Sequence, residues 1–400
     1  MRIIAVGNGI ASTMFAKSVR ENDSAVDIDV FAKEKYHYYP RPNLIDFLAD
    51  RIPFERIFAF PEEWYAKQNI NIHLSEPVRN ILPDSNEVEI DGGQKEKYDK
   101  LFLALGSHSF VPPFKGADKE GAFTLWNIED AYAILEYLND HRNVVIIGGG
   151  LLGLEIARAV KNRGADVQVV EFFDRLLPRQ LDSEGASILQ ESIENMGIKV
   201  RVGAATEEIM GGKAVSGLRF KGGETLDAGM AIIAAGARPN LDIAGNAGLQ
   251  TEKGVVVDDY LRTSDPDIFA AGDVVQHKGR VYGIIPASFD QAKIAAANVL
   301  GKDKPYQGTV PSNTLKVVGI YLSSVGLVNP EQGESEELRA AVREEGIYKK
   351  IVMKDGIIAG AIWMGTKKGI GEISRLIAEK RNVEKWKDSL LEDDFDYSMV

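Results

Sequence analysis

The chain has 400 residues, enough for two or three domains each with its own core, and its 44% hydrophobic and 26% charged content matches a soluble globular protein. A net charge of −12 argues against nucleic-acid binding, because a polyanion is repelled unless basic residues are concentrated locally, and no apolar run approaches the roughly 20 residues of a membrane span. Cysteine is absent, which excludes structural disulfides, thiolate metal sites, cysteine nucleophiles and redox-active disulfides, and five histidines without HExxH-like spacing make no case for a metal.

The chain enters a strand at once, Arg2 to Val6, with no signal-peptide pattern, which points to the cytoplasm. Gly7-Asn8-Gly9 makes a turn, a helix pattern runs from about Ala11 to Arg20, and a second strand covers Val26 to Phe31. This is a dinucleotide-binding βαβ unit in weakened form. Ser12 stands where a third glycine is expected, and the acid at the strand end is displaced behind Ala32 and Lys33 to Glu34. The stretch YHYYPRPNLIDFLADRI, residues 36–52, has two readings: a proline-rich loop before a short helix, or a phosphate clamp in which Arg41 offers a planar fork of donors. A strand at Glu87–Ile90, a Gly92-Gly93 turn and an apolar run from Leu101 to Gly106 follow. Pro112 and Pro113 mark a linker, and Glu129 to Arg142 has a helical pattern.

Residues 143–175, NVVIIGGGLLGLEIARAVKNRGADVQVVEFFDR, carry the strongest signal. A buried-strand run, Val144 to Ile147, turns through Gly148, Gly150 and Gly153 into a helix, and a second strand, Val167 to Val170, ends in Glu171. Gly148 makes the tight turn, Gly150 lets backbone approach a pyrophosphate, and Gly153 lets the helix pack on its strand. The helix start supplies free N–H groups and a positive dipole end for phosphates. Glu171 lies 23 positions past Gly148 (171 − 148), near the spacing of a carboxylate that grips a ribose diol. Next come Leu218–Lys221, a Gly222-Gly223 turn and Ala231 to Gly236, the same sequence of features that follows the first unit. The repeat implies two dinucleotide-binding domains built to one plan.

The segment 265–276 has a strand-like run ending in Gly272-Asp273, and Ala287 to Leu300 reads as a helix. Asp273 either caps this region or accepts a hydroxyl hydrogen bond from a polyol. The last ninety residues change character. Ser312–Gly319, Tyr348–Met353 and Ile357–Met364 read as strands, with a Lys354-Asp355-Gly356 turn and an amphipathic helix from Ile370 to Lys380, together a small α+β domain. Between Lys367 and Lys387, seven basic residues stand against three acids, either a solvated helix face or a docking patch for an acidic partner.

Gly148–Glu171, Tyr39-x-Arg41-Pro42, Leu103–Gly106, Ala234–Asn240 and Ala271–Asp273 occur in the order typical of FAD- and NAD-dependent pyridine nucleotide oxidoreductases, and over essentially its whole length the chain most resembles the NADH:rubredoxin oxidoreductases. Thr314-Leu315-Lys316 through Gly365 is similar to the third domain of rubredoxin and nitrite reductases. The resemblance implies an α/β protein of FAD/NAD(P)-linked reductase fold: two Rossmann-like dinucleotide-binding domains plus a small C-terminal α+β domain. The FAD-binding domain would span 1–109 and 237–309, the NAD-binding domain 110–236, and the C-terminal domain 310–400.

For FAD, the resemblance implies Gly7 and Gly9 at the pyrophosphate, Glu34 or Lys33 near the adenosine ribose, Arg41 at the phosphates and Asp273 at the ribityl chain, with Ser12, Pro42, Val78, Ala104, Gly106, Gly272 and Ser288 completing the site. For NADH it implies Gly148, Gly150 and Gly153 at the pyrophosphate and Glu171 at the ribose, with Leu151, Leu152, Arg175, Ala235 and Gly236 around them. Glu155 resembles the carboxylate beside the nicotinamide, and is equally readable as an acid favoured near a helix start by the dipole. Asp46, Leu105 and Trp126 depart from related proteins, which often carry lysine, threonine and arginine there.

The implied activity is a relay from NADH through FAD to a small redox carrier such as rubredoxin, with no metal and a possible homodimer. Alternatives are a cysteine-free NADH oxidase that makes peroxide, or a slow-turnover NADH-binding flavoprotein sensor. Glu171 would repel a 2′-phosphate, favouring NADH over NADPH.

Overall fold

Apolar runs buried on both faces build each half of the molecule around a parallel sheet. Strand β1 (Arg2–Val6) leads through Gly7 into helix α1 (Ile10–Asn22), and β2 (Asp27–Phe31) returns parallel to β1 with Ile3 opposite Ile28. On the other side of β1 lies β3 (Lys100–Leu103), with Val6 opposite Leu103. Asn71–His73 extends the sheet beyond β2 and Ile268–Ala270 extends it beyond β3. Phe15 of α1 stacks on Phe102 of β3 with ring centroids 3.7 Å apart, which fixes the helix against the sheet. A three-stranded antiparallel meander, Val78–Leu82, Glu87–Ile90 and Lys95–Lys97, belongs to the same half.

The second half repeats this plan. Strand β4 (Asn143–Ile147), helix α2 (Leu151–Asn162) and β5 (Asp166–Val170) form the βαβ unit, and β6 (Met230–Ile233) pairs with β4. Lys199–Arg201 and Ala122–Thr124 complete a five-stranded parallel sheet, and Thr206–Met210, Gly217–Phe220 and Thr225–Asp227 form the matching meander. Helix α3 (Ser183–Asn195) is capped by Asp182, whose carboxylate accepts the Gly185 N–H at 3.0 Å.

The C-terminal segment is an antiparallel sheet of β7 (Ser312–Val317), β8 (Ile320–Gly326), β9 (Glu336–Val342), β10 (Ile347–Lys354) and β11 (Ile357–Met364), in the order β7-β8-β11-β10-β9, with helix α4 (Ile370–Glu379) over it. Ile351, Met353, Trp363, Ile373 and Leu376 are buried between sheet and helix. Three strands are legible in the sequence, and the structure adds two. The edge strand β9, EELRAAV, faces solvent over much of its length and lacks an apolar alternation. The stretch read as a single strand to Gly319 stops at Val317, where Val318 and Gly319 form a two-residue turn into β8.

The structure is a computed structural model and describes residues 1–309, 312–331 and 333–400, with 312–317 as backbone only. It consists of two compact units: Met1–Phe47, Ile52–His108 and Ala237–Thr309 form unit 1, and Leu48–Arg51, Ser109–Gly236 and Val310–Val400 form unit 2. The fold is the expected one: a Rossmann-type sheet in each unit and a C-terminal α+β module. Among the described residues no helix is long and apolar enough to cross a membrane.

Candidate nucleotide-binding sites

In unit 1 the turn after β1 is shaped by a backbone approach that only glycine allows. Gly7 has φ +102, and a Cβ there would sit 2.2 Å from the Ala104 carbonyl oxygen. Gly9 caps α1 without a side-chain hydrogen bond, and a Cβ there would meet nothing within 4 Å. The start of α1 is therefore an open cradle of backbone N–H groups, the arrangement that holds a pyrophosphate. Ser12 is fully buried in the first turn, and among the described residues its Oγ has no hydrogen-bond partner. Its small side chain fits where a third glycine was expected and leaves a hydroxyl to satisfy.

Glu34, expected near a ribose, lies in a compact side-chain cluster with Arg41 and Tyr39. One Glu34 oxygen accepts from Arg41 Nη2 at 2.5 Å, the other accepts the Tyr39 hydroxyl hydrogen, and Arg41 Nη1 donates to the Tyr39 oxygen. Burial works against the Arg41 charge, but Glu34 and Tyr39 outweigh it and raise the guanidinium pKa. Lys33 and Pro42 are exposed, whereas Val78 and Ala104 are buried.

Asp273 accepts from Ser107 Oγ at 2.8 Å, and the Gly272 N–H donates to Gln291 Oε1 at 2.9 Å. Asn240 fixes the chain around Gly106, donating its backbone N–H to the Gly106 carbonyl at 3.0 Å and its side-chain amide to the Leu105 carbonyl at 2.7 Å. Gly272 has φ +88, and a Cβ there would lie 3.0 Å from Ala11 and 3.6 Å from the Ser288 hydroxyl, which brings Gly272, Asp273 and Ser288 together near the start of α1. Ser107 and Gln291 were not singled out in the sequence. Each is an ordinary polar residue whose partner lies 166 or 19 positions away, so no local pattern marks it.

The unit 2 cradle is tighter. Gly148 has φ +123 with a Cβ position 2.4 Å from the Ala234 carbonyl oxygen, and at Gly153 a Cβ would lie 2.0 Å from the Gly148 carbonyl oxygen. Gly150 caps α2 with no side-chain bond and open space around it, and Leu151 and the exposed Leu152 begin the helix. Ala235-Gly236 follows β6 and leads into the short strand Ala237–Pro239, with Gly236 at φ +111. Glu171 is buried and uses both oxygens on backbone donors, Gly149 N–H at 2.5 Å and Phe173 N–H at 2.8 Å. Arg175 donates to Asp174 at 2.9 Å while, among the described residues, its buried Nε has no partner. Both cradles therefore fit a dinucleotide: an uncapped helix start, open space at the middle glycine and unsatisfied polar atoms beside it.

Glu155 stands five residues into α2, and its carboxylate accepts the backbone N–H of Val318. Val318 has φ +45 and Gly319 φ +89, as a two-residue hairpin turn with the right twist requires, although the first of these positions is β-branched. The C-terminal module is also held by a buried ionic cluster. Asp182 accepts the Tyr348 hydroxyl at 2.7 Å and pairs with Lys350 at 3.2 Å, and Lys350, 2% exposed at its side chain, pairs with Glu337 at 2.9 Å. Burial alone would raise the Asp182 carboxyl; the Gly185 amide, Tyr348 and Lys350 together hold it below the ordinary value.

Two sheets of Rossmann type, each with a glycine cradle at its first helix, are the arrangement of a protein with two dinucleotide-binding folds. Residues 1–298 match the family model for pyridine nucleotide-disulphide oxidoreductases, and residues 311–381 match the rubredoxin NAD+ reductase C-terminal domain. The chain belongs to the pyridine nucleotide-disulphide oxidoreductase family. It is 30% identical over 373 residues to the NADH-rubredoxin oxidoreductase of Clostridium acetobutylicum, covering 93% of this chain and 92% of that protein. The crystal structure of NADH:rubredoxin oxidoreductase from that organism superposes with a TM-score of 0.81 at 29% identity, covering 95% of this chain and 96% of the other. The nitrite reductase [NAD(P)H] of Bacillus subtilis is 33% identical over 386 residues, 96% of this chain but 48% of that protein. The chain thus spans about half the length of the nitrite and nitrate reductase relatives it matches.

Proposed function

We propose that the protein is an NADH-dependent flavoprotein reductase, with FAD in unit 1 and NADH in unit 2, that passes electrons to a small redox carrier such as rubredoxin. The observation that carries this reading is the absence of cysteine from a chain that keeps both nucleotide cradles and belongs to a family named for disulfide chemistry. With no disulfide to reduce, the protein's own side chains offer no electron relay. The C-terminal match to rubredoxin reductases supports the choice of carrier.

When bound, FAD supplies the exchange between a two-electron hydride donor and a one-electron acceptor. The chain's residues bind and orient. The α1 cradle with Ser12 would hold the FAD pyrophosphate, Arg41 would exchange Glu34 for a phosphate, and Asp273, fixed by Ser107, would accept from the ribityl hydroxyls. The α2 cradle would hold the NADH pyrophosphate and Glu171 the ribose. Glu155, tied to Val318, would lie at the nicotinamide end and position it. Within the Lys367–Lys387 stretch Arg375 and Arg381 pair with Glu379, and Lys387 pairs with Glu336 and Glu384, so part of the positive charge that a docking patch would use is neutralised.

Anaerobic stopped-flow with NADH, followed by rubredoxin, nitrite reductase components or oxygen, tests the reading. Rapid bleaching of the flavin by NADH and acceleration by rubredoxin are expected. Slow bleaching would favour a sensor, and fast reoxidation by air with no gain from rubredoxin would favour an oxidase.

A further inference from the structure

The loop after β5 holds a feature that the nucleotide-binding reading leaves unused. Phe172 is 67% exposed and Phe173 53% exposed, although both follow directly on the buried Glu171. Isolated exposed apolar residues are ordinary, but two adjacent phenylalanines this open beside a binding loop are not. Their backbone is not loose. The Phe173 N–H donates to Glu171 Oε1 at 2.8 Å, the Phe173 carbonyl accepts from Gly203 N at 2.6 Å, and the Glu171 carbonyl accepts from Ala204 N at 2.8 Å. The Leu177 N–H closes the loop on the Gly149 carbonyl at 3.1 Å. The two rings meet edge to face, 5.3 Å apart with an interplanar angle of 87°, a geometry that leaves ring face available to a third group.

Resting on the NADH reading of unit 2, we infer that Phe172 and Phe173 form a stacking platform for the adenine base of the nucleotide. Glu171 links the two functions: its carboxylate fixes both the glycine loop, through Gly149, and the platform, through Phe173. A flat purine has a π face and no charge, so an aromatic pair held on rigid backbone recognises it with little ordering cost. The platform selects for an adenine-bearing nucleotide and contributes nothing to the nicotinamide end.

The test uses the flavin-loaded full chain. ADP-ribose binding is measured by calorimetry for the wild type, Phe172→Ala, Phe173→Ala and Phe172→Tyr, and flavin reduction by reduced nicotinamide mononucleotide, which lacks adenine, is followed in parallel. The alanine variants are expected to weaken ADP-ribose about five- to a hundred-fold, the tyrosine variant to keep it, and the mononucleotide rate to stay unchanged. Unchanged ADP-ribose affinity in both alanine variants overturns the inference while leaving the NADH reading intact. So does equal loss with the mononucleotide, or an effect confined to carrier reduction or self-association, which would make the pair a protein contact. A wild type that binds neither ADP-ribose nor NADH removes the function and the platform together.

Discussion

The two glycine cradles share a backbone plan but commit their acids to different tasks. Glu34 in unit 1 gives its oxygens to the side chains of Arg41, which is partly open to solvent, and Tyr39, which is buried. Glu171 in unit 2 gives both to the amides of its own loops and is buried. The helix junctions differ in the same sense, since position 12 accepts a serine, whereas position 153 has a backbone oxygen where a Cβ would be. A site that holds its ligand durably can be closed by side chains that rearrange around it. One that exchanges its ligand at every turnover benefits from donors and acceptors fixed in advance.

The largest effect should come from the buried carboxylates that brace the two units, Asp29 in unit 1 and Asp182 in unit 2. Lys350→Ala removes the buried partner of Asp182 and Glu337, and a loss of about 3–5 kcal/mol in urea unfolding is expected, with Lys350→Met losing less. Arg2→Ala, whose partner Asp29 keeps His73 at 2.9 Å, should lose less again. Both carboxyls are held below the ordinary 3.8 against the effect of burial, Asp29 by His73 and Arg2. The stability they contribute is therefore present above that value and lost as pH falls through the lower folded one. Burial and Asp182 push the Tyr348 hydroxyl up from its ordinary 10.0, so its contribution holds below that pH and is lost above it. Urea midpoints across pH 2–11 should show a plateau between these limits, and a Lys350→Ala profile superposed on the wild type would break this account.

Next in size, Gly153→Ala should cost about 1–3 kcal/mol and abolish ADP-ribose binding, because the new methyl meets the Gly148 carbonyl. Ser12→Gly should leave stability within about 0.5–1 kcal/mol, and comparable losses at the two positions would erase the distinction. Glu171→Ala strands two amides and should cost about 1–3 kcal/mol in unfolding while narrowing the NADH over NADPH ratio of kcat/KM. Glu34→Ala should cost about 0–1 kcal/mol, since its ion pair with Arg41 is open to solvent, and show its effect instead in the FAD dissociation constant. A larger stability loss at Glu34 than at Glu171 would reverse the assignment.

Much of this was legible in the residues. The apolar runs Ile3–Val6 and Val144–Ile147, the glycines behind them and the helices that follow are local signals, and both βαβ units form where they were read. Glu171 was placed by spacing alone, but its grip on Gly149 and Phe173 was not visible. The role of Glu155 was read as a choice between nicotinamide contact and helix dipole, and its bond to Val318, 163 positions away, entered neither.

The sequence by itself determined the two cradles, because a tight turn, a close backbone approach and a helix start depend on residues within one short stretch. Only the tertiary structure decided which strand completes each sheet: Ile268–Ala270, from beyond the second βαβ unit, in unit 1, and Ala122–Thr124, from ahead of it, in unit 2. It likewise decided that Lys350 is buried against Asp182, and that Arg41 answers Glu34. These are pairings among ordinary residues, and what selects them is the free energy of burying apolar surface and satisfying charge across the whole unit, to which no local pattern corresponds.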